Sequence, residues 1–221
     1  MIEAVVFDMD GVLLDSERLY RIHWIEAAKG YGISEETMQA VCNRIAGGSS
    51  EHTKAVFAEV FGAEFPYEEM RQKVFELMDA YIGIHGIDLK PGIVELLQFL
   101  KQNGVRIALA TSTERERATT NLKNAGIFDY FDECVFGNQV KRSKPDPDIY
   151  LTACSAVGVD PKQAMGVEDS INGIFSVINA GMTAVFVEDL ISPTEEVRKQ
   201  ADRIYSCADE IIKHWDEFNR K

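Results

Sequence analysis

Short apolar runs recur along this chain with longer mixed stretches between them. Val5-Val6-Phe7 stops at Asp8, and similar runs occupy 105–111, 133–136, 164–167 and 183–187. Runs of this length, bounded by polar or turn residues, predict strands. The stretches between them carry helical spacing at 92–103, 114–125, 147–157 and 171–180, with a terminal helix at 208–219. Strands alternating with helices imply a parallel sheet covered by helices on both faces, an α/β doubly wound fold.

The segment 16–85 breaks the alternation. It carries helical signals and hardly any strand: a mixed amphipathic pattern at Leu19, Ile22, His23, Ile25 and Glu26 with Asp15 or Ser16 as N-cap, then helices at 35–46, 50–61 and 67–83. Gly30-Tyr31-Gly32, Gly47-Gly48, and Gly62 with Pro66 punctuate them. The first strand finds no partner before residue 90, so 16–85 is expected to be a helical domain inserted into a discontinuous α/β core of 1–15 and 86–221. The connections near 14–17 and 84–90 would be hinges.

Composition narrows the partners. The chain has 221 residues, 46% of them hydrophobic, enough for a full core. Its 23 Lys and Arg against 36 Asp and Glu give a formal net charge of −13, which opposes nucleic acid and anionic membrane. An anionic substrate then needs a local cation. Cys42, Cys134, Cys154 and Cys207 form no CxxC pair, which fits reduced thiols in a cytoplasmic protein. Met1-Ile2-Glu3 has no basic lead into the apolar stretch, and no apolar run of about 18 residues follows, so neither a signal peptide nor a membrane span is expected.

In doubly wound sheets ligands bind beyond the carboxyl ends of the strands, so the polar residues there carry the chemistry. Asp8 and Asp10 follow the first strand, and Gly11 lets the chain turn so that both carboxylates converge; such a pair is tolerated where a cation or a shared proton compensates. Asp also occurs as a plain turn or cap residue. The second strand ends in Thr111-Ser112-Thr113, hydroxyls before a helix start, suited to an anion or to simple capping. Lys144 stands in Ser143-Lys144-Pro145-Asp146-Pro147, where prolines constrain its position. Glu168 and Asp169 end the fourth strand and add oxygen ligands suited to a hard cation such as Mg2+, or acidic charge at a helix N-terminus. His23, His52, His85 and His214 lack metal-ligand spacing, and no HExxH, Gly-x-Ser-x-Gly, Walker or GxGxxG pattern occurs.

The string Phe7-Asp8-Met9-Asp10-Gly11-Val12-Leu13-Leu14-Asp15-Ser16-Glu17 resembles the first motif of the haloacid dehalogenase (HAD) superfamily, in its β-phosphoglucomutase-like phosphatase branch. Thr111 matches the second-motif Ser/Thr, Lys144 the third-motif Lys in a KPxPxxY/F context, and Gly166-Val167-Glu168-Asp169-Ser170 the fourth motif, GxEDS. All four occur in order over essentially the whole chain. The resemblance implies a HAD-like core with an inserted helical cap, and phosphoryl transfer through an aspartyl-phosphate. Asp8 is then the nucleophile and a Mg2+ ligand, Asp10 the acid/base with its backbone carbonyl on the metal, and Asp169 and Glu168 further ligands. Thr111, Ser112 and Lys144 would hold the phosphoryl group.

Hydrolysis of a small phosphorylated sugar or related metabolite is the reading this favours. A mutase on the same core stays open. β-Phosphoglucomutases carry a His on the first cap helix and an Arg in a cap loop, where this chain has Tyr20 and, in Gly47-Gly48-Ser49-Ser50, Ser50. Tyr20, His23, Gly48, Ser49 and Ser50 are therefore the expected substrate-side residues. A dehalogenase would lack Asp10, and a non-catalytic phospho-ligand module such as a receiver domain would lack the 70-residue insertion. A monomer is expected, with a dimer left open.

Overall fold

The computed structural model describes residues 1–46 and 50–219, so Gly48 and Ser49 lie outside the described residues. The chain divides into two compact units, Met1–Asp15 with Asp88–Lys221, and Ser16–Ile87.

The first unit holds a six-stranded parallel sheet in the order β3-β2-β1-β4-β5-β6. Its strands are β1 (Ala4–Phe7), β2 (Arg106–Thr111), β3 (Glu133–Phe136), β4 (Ala164–Glu168), β5 (Thr183–Val187) and β6 (Arg203–Tyr205). β1 and β4 are buried at every position, the pattern of central strands covered on both sides. Ala4 and Val6 share one face with α7 (Asp148–Val157) and α8 (Ile171–Asn179), in a core that includes Ile149, Tyr150, Ile174 and Val177. Val5, Phe7, Ile107 and Leu109 alternate onto the other face and are also buried. There α5 (Ile93–Gln102) contributes Ile93, Leu96, Leu97 and Leu100, and α6 (Arg115–Asn124) follows β2.

Among the described residues the second unit is four helices, α1 (Ser16–Lys29), α2 (Glu35–Ile45), α3 (Ser50–Phe61) and α4 (Tyr67–His85). Ser34 caps α2 by accepting the Thr37 N–H. Trp24, Phe57 and Tyr67 form the aromatic centre, with Trp24 and Phe57 ring centroids 4.9 Å apart. The first helix does not bury the face its apolar spacing suggests. Ile22 is exposed, while Ser16, His23, Trp24, Ala27 and Ala28 are buried, because Trp24 is drawn into the aromatic cluster.

The crossings between the units lie side by side in the first unit. The Asp15 N–H donates to the Asp88 carbonyl and the Lys90 N–H to the Leu13 carbonyl, each at 2.9 Å, and Leu14 bridges Leu89. The second unit thus runs on to Ile87, two residues past the expected 85, and Gly86 (φ 77°) closes α4.

Two elements follow β5 that the sequence pattern does not announce. α9 (Glu195–Gln200) is capped by Thr194, whose hydroxyl accepts the Val197 N–H, and β6 forms the sheet edge with Tyr205 as its one buried residue. The expected helix at 208–219 is instead two short ones, α10 (Glu210–Lys213) and α11 (Trp215–Asn219), interrupted at His214. The His214 ring stacks on Tyr205 and its Nδ1 lies 2.8 Å from Glu217, which holds the break. Among the described residues no helix is long and apolar enough to cross a membrane.

Phe57 is fully buried at the centre of the four-helix unit. Phe57→Ala should cost about 3–5 kcal/mol through lost contacts and the cavity left behind. Urea unfolding followed by tryptophan fluorescence will measure this, since Trp24 reports on the same cluster.

Candidate active site

The parallel register sets the site. Phe7 pairs with Leu109 of β2 and Val167 of β4, so one step on, Asp8 stands level with Ala110 and Glu168. The Asp8 N–H extends the ladder to the Val167 carbonyl at 3.0 Å. Three adjacent strand ends therefore present polar groups at one height.

Lys144 ties them together from the segment between β3 and α7. Its Nζ donates to Asp8 Oδ1 at 2.6 Å, Glu168 Oε1 at 2.7 Å and the Ala110 carbonyl at 3.0 Å, which uses all three of its protons. Its segment is held independently. Arg142 forks onto Asp148 and pairs with Asp146, Ser176 Oγ donates to the Asp146 carbonyl, and Asn179 Nδ2 donates to the Pro145 carbonyl. The Lys144–Pro145 bond is cis.

Beyond β1 the chain folds back at once. The Gly11 N–H donates to the Leu14 carbonyl, and Leu13 and Leu14 both donate to the Met9 carbonyl. Gly11 sits at φ 79°, and any Cβ placed there would run into the Asp169 carboxylate. The glycine of the Asp-x-Asp-Gly string is thus required by conformation and by the approach of Asp169.

Asp8, Glu168 and Asp169 are buried and offer carboxylate oxygens within 4.8 Å of one another. Asp10 Oδ2 accepts from Thr113 Oγ1 at 2.8 Å. Thr111 is buried at the end of β2, and its Oγ1 accepts the Thr113 N–H at 3.1 Å, while Ser112 is exposed. The capping role open to Ser112 or Thr113 is not taken: Glu114 precedes α6 without a side-chain cap, and the Thr113 hydroxyl turns to Asp10.

Burial pushes the Asp8 carboxyl up to about 8, against the pull of Lys144 and with Glu168 and Asp10 adding to the rise. Burial works against the Lys144 charge, but Asp8 and Glu168 more than offset it and hold the ammonium above its ordinary value. Three buried carboxyl groups share one ammonium, so acidic groups outnumber the base that faces them. An all-oxygen donor set with that excess fits a hard divalent cation.

The structure brings Asp8, Lys144, Glu168 and Asp169 together, with Asp10 on the adjoining turn and Thr111 at the end of β2. Tyr20, His23 and Ser50 belong to the helical unit. Tyr20 packs edge-on against Phe75, and Ser50 opens α3 and hydrogen-bonds Tyr67. His23 is buried edge-on to Tyr81, with Nδ1 3.3 Å from Glu26 and no hydrogen-bond partner for Nε2 among the described residues.

The haloacid dehalogenase-like hydrolase family matches residues 2–181. The chain belongs to that family. A phosphorylated carbohydrates phosphatase of Thermotoga maritima is 34% identical, over 83% of this chain and 84% of its own length. A β-phosphoglucomutase of Bacillus subtilis is 30% identical over 98% and 96%. Among solved structures, CbbY from Rhodobacter sphaeroides in complex with phosphate superposes with a TM-score of 0.78 at 27% identity, covering 96% of each chain.

Two residues of this HAD-like hydrolase escape a reading of strand ends. Tyr150 is a buried aromatic on α7, and its hydroxyl donates to Glu168 Oε1 at 2.8 Å. Thr113, treated as a capping residue, meets an acid 103 positions earlier. The KPxPxxY/F context marks the Tyr150 position, but nothing local marks its partner.

Gly11→Ala should cost about 1–2 kcal/mol for the left-handed backbone alone, before any displacement of Asp169. Urea denaturation measures the stability loss. Asp8 also carries a pH signature. Its folded-state value of about 8 exceeds the ordinary 3.8, so the stability it contributes is full below 3.8, declines as pH rises and is lost above about 8. In EDTA, Asp8→Asn should therefore gain stability relative to the parent between pH 5 and pH 8; an unchanged gap between the two denaturation curves refutes this.

Proposed function

We propose that this chain is a Mg2+-dependent phosphatase of small phosphorylated sugars that works through an aspartyl-phosphate on Asp8. The observation that carries the reading is the Lys144 ammonium held between Asp8 and Glu168 beside buried Asp169, in a chain similar to a phosphorylated carbohydrates phosphatase.

The Asp8 carboxylate attacks phosphorus in line with the departing alkoxide. Lys144, already against Asp8, offsets charge as it spreads over the transferring oxygens. Thr111 and the backbone N–H groups that open α6 hold those oxygens, with Ser112 contributing its N–H. Asp10 gives a proton to the leaving alkoxide, then takes one from the water that hydrolyses the acyl phosphate. Thr113 fixes the direction of the Asp10 carboxylate. The Asp8 and Asp169 carboxylates and the Asp10 carbonyl would hold Mg2+, which would add charge neutralisation at the phosphoryl group. In this reading Ser16–Ile87 is the cap, and Tyr20, His23 and Ser50 bear on substrate choice.

The similarity to a β-phosphoglucomutase keeps a sugar phosphomutase as the second reading. Tyr20 and Ser50, where those enzymes carry His and Arg, weigh against it.

With a panel of sugar phosphates, phosphate release should require Mg2+ and stop in EDTA. Asp8→Asn should lose about 10³-fold or more in kcat, and Lys144→Met about 10²-fold or more. Metal-independent turnover, or an active Asp8→Asn, refutes the mechanism. β-Glucose 1-phosphate with a trace of the 1,6-bisphosphate tests the acceptor. Glucose 6-phosphate formed without phosphate release would establish the mutase instead.

A further inference from the structure

Glu168 has no spare hydrogen-bonding capacity. Oε1 accepts from Lys144 Nζ at 2.7 Å and from the Tyr150 hydroxyl at 2.8 Å. Oε2 accepts from the Asp169 N–H at 3.2 Å, the Ser170 N–H at 3.4 Å and Ser170 Oγ at 3.1 Å. Five donors meet a carboxylate with about four lone-pair sites, on a side chain with no exposed surface. The carboxylate also cannot turn toward α8, because it lies against the α-carbon of Gly173, where a Cβ would collide with it. Asp169 projects instead toward Gly11 and the first-motif turn.

Tyr150 completes this packing. It is fully buried, and its ring lies beneath Lys144 with Nζ 5.2 Å from the centroid, so one side chain supports both ends of the Lys144–Glu168 ion pair. Without the hydroxyl, Glu168 Oε1 keeps Lys144 as its one donor, and the ammonium can follow the carboxylate away from Asp8.

We propose that Tyr150 and Glu168 form a positioning pair that sets the place of the Lys144 ammonium, and that Glu168 serves Lys144 rather than the metal. The proposal rests on the phosphatase reading for its kinetic consequence and on the geometry alone for its binding consequence. Asp8 and Asp169 then supply the side-chain ligands of the cation.

Tyr150→Phe keeps the ring and its packing and removes only the hydroxyl. With p-nitrophenyl phosphate and Mg2+, kcat should fall about tenfold or more with little change in KM, the mark of a misplaced transition-state charge. Mg2+ affinity, read by thermal-shift titration without turnover, should stay within about twofold, because the cation's ligands are untouched. Inorganic phosphate, titrated in the same way, should bind more weakly. Glu168→Gln should likewise retain Mg2+ affinity within about threefold, whereas Asp169→Asn should lose it by tenfold or more. A parental kcat in Tyr150→Phe, or loss of Mg2+ binding in Glu168→Gln as complete as in Asp169→Asn, overturns the proposal. If the parent hydrolyses no phosphate ester, the phosphatase reading fails while the Mg2+ and phosphate titrations still decide the role of the pair.

Discussion

The site depends on one ammonium being shared by three neighbouring strands. Lys144 reaches the ends of β1, β2 and β4 and spends a proton on each. Buried ionised groups are costly unless paired and hydrogen-bonded, and a carboxylate at Asp8 has the register-fixed Glu168 beside it. Without Lys144 that neighbourhood holds buried negative charge alone. With it the imbalance is reduced but not removed, which is why an all-oxygen cluster beside a single lysine suits a divalent cation.

Much of the surrounding architecture follows from keeping that lysine in place. α8 holds the Lys144 segment through Ser176 and Asn179, and Arg142 clamps it to the start of α7. The same two helices pack the face of the sheet that contains Tyr150. Gly11 and Gly173 are the positions where backbone must come within contact of Asp169 and Glu168, and a side chain at either would displace a carboxylate. Core packing and charge placement are therefore one construction here. A change in how α7 or α8 seats would be felt as a shift in the ammonium position.

Legibility in the sequence tracks burial. β1, β4 and β5 are almost wholly buried, so their residues are apolar without interruption and the strands stand out. β6 pairs on one side at the sheet edge and keeps a single buried residue, too little to leave a pattern. α9 is short, and its one clear signal is Thr194 followed by two acids. The break at His214 depends on Tyr205 stacking from another element, which no local spacing reports. On α1, apolar spacing was a poor guide because an aromatic cluster chose the buried face and left Ile22 exposed.

Asp8, Asp10, Thr111, Lys144, Glu168 and Asp169 are legible because a parallel sheet delivers all its carboxyl ends to one edge, so polar residues after apolar runs must gather there. That much is local chemistry repeated strand by strand, and with the family motifs it establishes the fold and the sheet edge where these polar groups gather. The division of labour among the acids is different in kind. That Glu168 meets Lys144, Tyr150 and Ser170 while Asp169 faces Gly11, and that Thr113 holds Asp10 rather than capping α6, depends on register and on which helix packs where. Adjacent acids in a chain look alike; only the tertiary structure distinguishes them, because each points to a different side of its strand end and meets different donors.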